Sequence, residues 1–129
     1  MSTDTNQAII RRVFEDFLNA GDMAVPAEVI SPDFVDHNPM PGQPAGSDAL
    51  LYVYNTLHDA HSDMSITIDD MLAEDDKVAV RWTLRGTNTG EMFGMPPTHQ
   101  QTTMEVIVIF RLADGKVTDR WAQMGGPSI

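Results

Sequence analysis

Lys77-Val-Ala-Val-Arg-Trp-Thr-Leu-Arg-Gly86, Gln101-Thr-Thr-Met-Glu-Val-Ile-Val-Ile-Phe-Arg-Leu112 and Lys116-Val-Thr-Asp-Arg-Trp-Ala-Gln-Met124 decide the fold. Each is rich in β-branched and aromatic residues, and each alternates in polarity over part of its length, as strands do. Asp114-Gly115 separates the last two by two residues that tolerate positive φ, which predicts a tight hairpin. Thr87 to Thr98 is punctuated by glycine and proline and reads as a long loop between the first two strands. Val106, Val108 and Phe110 occupy one parity of the middle strand, and Ile107 and Ile109 the other. A strand apolar on both parities is expected to be covered on both faces. One cover is the rest of the chain; the other is expected to be a second copy, giving a homodimer through the sheet.

Upstream, Ile9, Ile10, Val13, Phe14, Phe17 and Leu18 fall on one helical face. Asp4 or Thr5 is expected to cap this helix and Gly21 to end it. Pro26 to Ile30 reads as a short helix that Pro32 stops. Phe34 to Pro39 is extended, and Pro39 to Gly46 is a loop by composition. Ser47 is the expected cap of a third helix with Leu50, Leu51, Tyr54, Leu57, His58 and His61 on its stripe. From Met64 the period changes to two, so another strand precedes the turn at Glu74-Asp75-Asp76. Helices followed by an antiparallel meander indicate an α+β fold. The N-terminal helix laid across a curved sheet would close one end and leave a cavity at the other.

Residues 1–129 are the length of one domain, long enough to bury roughly two-thirds of its unfolded surface. The net charge of −11 repels phosphate backbones and anionic lipid, which argues against nucleic acid and membrane surfaces as partners. No apolar run approaches the ~20 residues of a membrane span. The polar start without a basic segment makes a cytoplasmic protein the simplest reading. Cysteine is absent, which excludes disulfides and thiolate chemistry, and nine methionines suit an adaptable apolar pocket.

Phe34-Val-Asp-His-Asn-Pro39, Val78 to Thr87, Thr89-Gly-Glu-Met-Phe-Gly-Met-Pro-Pro-Thr98 and Ile109 through Trp121 together resemble the SnoaL-like polyketide cyclase family of the nuclear transport factor 2-like superfamily. The resemblance covers nearly the whole chain. It implies a cone: a curved antiparallel or mixed sheet with the N-terminal helices on its concave face. It also implies ring closure by an intramolecular aldol reaction without metal or cofactor, on a polyketide-like or other small apolar substrate. The family's catalytic aspartate follows the tryptophan of the last strand, and its histidine partner precedes the phenylalanine of the strand before by two residues. Those positions are Ala122 and Val108 here, and neither accepts a proton. The superfamily also contains isomerases, hydrolases and non-catalytic binders, so fold alone does not choose among them.

The candidate catalytic residues are His37, Asp36, Tyr54 and His58. Asp36 and His37 point to opposite faces of an extended segment, and His37 turns inward if Val35 does. A neutral imidazole in an apolar cavity suits a general base. Tyr54 and His58 are one helical turn apart and could present a hydroxyl and an imidazole to the pocket. His58 and His61 have metal-ligand spacing, but further ligands are scarce and no metal site is assigned. The expected pocket wall comprises Phe14, Phe34, Asn38, Trp82, Met104, Val108, Phe110, Trp121, Ala122, Gln123 and Met124, with Met92, Phe93 and Met95 as a lid. Three functions follow: a cofactor-free cyclase or isomerase using His37, a non-catalytic binding protein, and an epoxide or ester hydrolase. The last needs Asp36 or Glu105 inside.

Overall fold

The computed structural model describes residues 2–124. Helix α1 (Thr3–Arg11) is capped by Ser2, whose hydroxyl accepts from the Thr5 amide; Asp4 and Thr5 lie inside the first turn instead. From Arg12 to Asn19 the helix widens to π geometry. The apolar pairs Ile9/Ile10, Val13/Phe14 and Phe17/Leu18 repeat every four residues. Such a repeat drifts by about 40° per step around an α-helix of 3.6 residues per turn. The wider i→i+5 turn counters the drift and keeps Val13, Phe14, Phe17 and Leu18 all buried. Gly21, at φ +76°, ends the segment.

Helix α2 (Val25–Val29) runs directly into β1 (Ile30–Asp36), a strand the sequence reading began only at Phe34. Pro32 is tolerated there because β1 lies at a sheet edge and its register breaks between Ile30 and Val35. Helix α3 (Asp48–Ala60) buries Ala49, Leu50, Leu57 and Ala60, while Leu51 is left exposed. Ser47 precedes it without making a side-chain capping bond. The remaining strands are β2 (Ser65–Glu74), β3 (Lys77–Thr87), β4 (Gln101–Ala113) and β5 (Lys116–Met124). Asp114 and Gly115, at φ 53° and 78°, make the expected hairpin turn.

The sheet order is β1-β5-β4-β3-β2; β1 runs parallel to β5 and the other pairs are antiparallel. This is the expected α+β architecture, with a mixed sheet. Val78, Val80, Trp82, Leu84, Val106, Val108, Phe110, Leu112 and Val117 bury one face against α1, its π-helical continuation and the α2–β1 segment. Ile107 and Ile109 stand on the opposite, open face. Two bulges shape the sheet. In β2 an extra residue, Asp69, separates Ile68↔Trp82 from Asp70↔Arg81. In β5 Thr118 separates Leu112↔Val117 from Arg111↔Asp119. Each bulge reverses side-chain parity along its strand. Among the described residues no helix is long and apolar enough to cross a membrane.

Candidate active site

Beyond its bulge, β5 points Arg120, Ala122 and Met124 inward and Asp119, Trp121 and Gln123 outward. The partner strand β1 has Phe34 and Asp36 inward and Val35 outward, and His37, just past its end, also lies outward. Asp36 and Arg120 are direct neighbours across the parallel pair. Their side chains meet under the helices: Arg120 Nη1 lies 3.0 Å from Asp36 Oδ2 and 3.2 Å from Oδ1. The Asp36 side chain is 5% exposed and that of Arg120 18%. Two further donors reach the carboxylate, the Asn38 amide at 3.0 Å and Gln43 Nε2 at 2.9 Å. Three donor groups thus make four hydrogen bonds to the carboxylate, two to each oxygen, which matches its about four lone-pair sites. The Asn38 side chain is held in turn, its Oδ1 accepting from the Ala122 amide. No partner among the described residues binds the other guanidinium N–H groups of Arg120.

This ion pair lies beside two adjoining cavities that share Val53, Trp82 and Arg120 in their walls. The inner one, about 30 Å³, is lined by Phe14, Phe34, Phe110 and Asp36 among others. The outer one, about 320 Å³, is lined by Asn38, Met92, Phe93, Met104, Ala122 and Met124, together with Met40 and Leu57. Its wall is mostly apolar with few polar groups, the usual composition of a small-molecule site. Arg120, Gln43 and Met40 were not singled out from the sequence. Arg120 was obscured by the β5 bulge, and Gln43 by its place in a loop with no regular side-chain period.

Several expected site residues lie elsewhere. His37 follows Val35 to the open face. Its ring stacks on Trp121 with centroids 4.5 Å apart and planes parallel within 1°, and Nε2–H donates to Asp119 Oδ2 at 3.0 Å. That hydrogen bond holds the Asp119 carboxyl below its usual range, aided by Thr118 and Arg111. Trp121 and Gln123 share this outer face, lining a separate groove with Ile107 and Ile109, because the bulge at Thr118 reverses their parity. Tyr54 packs on Phe17 and His58 with its hydroxyl against Gly21. His58 Nε2–H donates to the Leu18 carbonyl at 2.7 Å, so both helix side chains tie α3 to the N-terminal helix rather than facing the cavity. Val108 is fully buried in the core beneath the wall, directly opposite Ala122. Met95 is 70% exposed at the loop tip, and Glu105 points outward from β4. His61 is buried with Nδ1–H donating to Leu57, and the described residues contain no group of three or more His, Asp or Glu side chains that could hold a metal.

The loop over the outer cavity is anchored at its base. Asn88 Nδ2 donates to the Ala60 and Gly90 carbonyls, and its Oδ1 accepts from the Thr98 amide. Gly90 presses so close to α3 that a Cβ there would stand 2.0 Å from the Asp59 carbonyl oxygen. At the tip, Phe93 and Gly94 (φ 53° and 79°) form a tight turn between Met92 and Met95, whose backbones bond in both directions.

Comparison with known proteins agrees with the fold. The profile described as SnoaL-like polyketide cyclase matches residues 8–125. No curated protein matches significantly. TsrD from Streptomyces laurentii superposes with a TM-score of 0.85 at 23% identity, covering 96% of this chain and 90% of that one. IdmH from Streptomyces antibioticus, named a candidate polyketide cyclase, gives 0.77 at 29% identity over 92% and 90%. AclR from Streptomyces galilaeus, named a candidate hydroxylase, gives 0.79 at 25% identity over 96% and 77%. Cyclase and hydroxylase names on one scaffold locate the reaction in side chains rather than in the fold. A helix-covered mixed sheet with an apolar cavity, matched from residue 8 to residue 125, shows that the chain belongs to the SnoaL-like polyketide cyclase family.

Proposed function

We propose that the protein is a cofactor-free cyclase or isomerase that moves a proton beside a carbonyl of an apolar, polyketide-like substrate, with Asp36 as the base in place of His37. The observation that carries this is the Asp36–Arg120 pair, the ionised group set into the wall of the apolar cavities. Proton abstraction beside a carbonyl needs a base at the C–H and a positive donor at the oxygen where enolate charge develops. Asp36 lines the inner cavity with both oxygens hydrogen-bonded, so it takes up a proton by releasing one of its donors, and Arg120 keeps N–H groups to offer to the oxygen. Asn38 and Gln43 orient the carboxylate and do not touch the reacting atoms. The enolate then attacks a second carbonyl to close a ring, or is reprotonated at another carbon.

The test uses a bicyclic ketone, β-tetralone, in heavy water. Wild-type protein should speed deuterium exchange at the carbon beside the carbonyl, followed by proton NMR. Asp36→Asn should lower that rate by about 10²- to 10⁴-fold, the usual contribution of a positioned base, while still binding the ketone. Wild-type protein that binds the ketone without accelerating exchange would sink the proton-transfer reading.

That result would favour the second reading, a non-catalytic binding protein. It draws on one specific feature: the family's acid and base positions are the apolar Ala122 and Val108. In either case we infer a homodimer through the open sheet face, where Ile107 and Ile109 stand exposed beside the His37–Trp121 stack.

A further inference from the structure

The outer cavity offers its occupant chiefly hydrogen-bond donors. Among the described residues that line it, only Asn38 and Arg120 carry accessible polar side-chain groups, and only Arg120 is charged. Asn38 Oδ1 already accepts from the Ala122 amide at 2.9 Å, which turns its Nδ2 donor the other way. Arg120 has five N–H groups, and Asp36 engages only those of Nη1. Nε and Nη2 have no acceptor among the described residues. They are not sealed off either: the unpartnered polar atoms shut away from solvent are Asn6 Oδ1 and Trp82 Nε1. The Nε–Nη2 edge is a planar fork of two parallel N–H groups, a geometry that matches both oxygens of a carboxylate.

We propose that this fork is an anion site, holding the carboxylate of an apolar acid whose body fills the outer cavity. This rests on the reading of the cavity as the ligand site and names the ligand's class. A cavity of roughly 150 Å³ holds one benzene ring, so the outer cavity, at about 320 Å³, suits a body of about two fused rings. A charge enters an apolar cavity only where it is paired, and Arg120 supplies the pairing there. Asp36 holds the Nη1 side and does not line the outer cavity, so it leaves the fork to the ligand. The net charge of −11 resists the approach of one anion only weakly, because physiological salt screens charges beyond about 8 Å. With Nε–H and one Nη2–H on the carboxylate, the second Nη2–H remains for the oxygen of a reacting carbonyl. A substrate of this site is therefore an apolar keto acid, bound in its ionised form.

The experiment compares 2-naphthoate with 2-naphthamide by isothermal titration calorimetry. The two share size, shape and rings, but the amide is neutral and puts an N–H donor where the acid has an oxygen. Wild-type protein should bind the acid about 10- to 100-fold more tightly, the worth of a hydrogen bond to a charged group. Asp36→Leu/Arg120→Met, which removes both charges of the site together, should erase that preference while still binding the amide. Should the variant not fold, a crystal of wild-type protein soaked with 2-naphthoate gives the same answer: the carboxylate should lie within hydrogen-bond distance of Arg120 Nε and Nη2. Equal affinities, no binding of either probe, an acid preference that survives in the double variant, or a carboxylate seated away from Arg120 would overturn the proposal. Failure here is distinct from failure of proton transfer. An acid preference that depends on Arg120, without deuterium exchange on β-tetralone, keeps this inference and removes the catalytic one. Exchange without such a preference does the reverse.

Discussion

Arg120 and Asp36 depend on each other because each is a charge set into an apolar wall. Replacing Arg120 by Met keeps volume but strands the Asp36 carboxylate in a site 5% exposed. Breaking a buried pair from one side costs about 3–5 kcal/mol, so Arg120→Met should lower the melting temperature by more than ten degrees in a thermal scan. The double variant Asp36→Leu/Arg120→Met should recover much of that stability with no exchange activity, which separates folding from chemistry. The outer face behaves differently. Asp119 is held below the usual carboxylate value of 3.8, chiefly by the His37 hydrogen bond, and Asp63 likewise by the Thr87 amide and hydroxyl. A carboxyl depressed in the folded state adds stability above its unfolded pKa and loses it as pH falls through the folded value. Asp119→Asn should therefore be less stable than wild type at neutral pH, with the difference shrinking below about pH 4 in denaturant titrations.

At the scale of elements, the loop from Asn88 to His99 is a tip mounted on a fixed base. The base is held by Asn88 and by the close approach of Gly90 to the end of α3. Gly90→Ala puts a methyl group inside the Asp59 carbonyl, so backbone must shift, at a cost of about 1–3 kcal/mol. The expected result is faster hydrogen exchange at the Thr89, Gly90 and Thr98 amides, with weaker ligand binding as Met92 and Phe93 move off the cavity. Protection of the β3 and β4 amides should not change; if it falls too, the loop is part of the core's cooperative unit rather than a separate cover.

The elements themselves were legible: the strand pattern of the last half, the Asp114-Gly115 turn, and a helix ended by Gly21. Their ends were less so. β1 was hidden by Pro32, which reads as a strand breaker until the strand is known to be an irregular edge. Within the candidate site, Trp82, Met92, Phe93 and Met104 were legible because alternation and loop position suffice for them. Arg120, Trp121 and Gln123 were not. Counting by twos from the buried Val117 leads to Trp121, and only the extra residue Thr118 reveals that Arg120 faces in.

For the molecule as a whole, the sheet has one face covered by its own helices and one left with Ile107 at 55% exposure and Ile109 at 39%. Apolar β-branched residues side by side on an open sheet are the feature behind the proposed dimer. Ile107→Lys should leave the fold intact and convert a dimer to a monomer in sedimentation equilibrium; a wild-type monomer at all concentrations would refute the dimer. The net charge of −11 works against self-association, so the dimer should strengthen as salt rises.

Taken by itself, the sequence determined the α+β class, the helix-then-meander order and an apolar interior. Those properties follow from local periodicity and turn chemistry, which are written in neighbouring residues. Only the tertiary structure decided which of two adjacent side chains, Asp36 or His37, faces the cavity, and that Arg120 meets it there. Both outcomes depend on the parallel pairing of β1 with β5 across more than eighty residues and on a single bulge, and neither leaves a periodic trace in the chain.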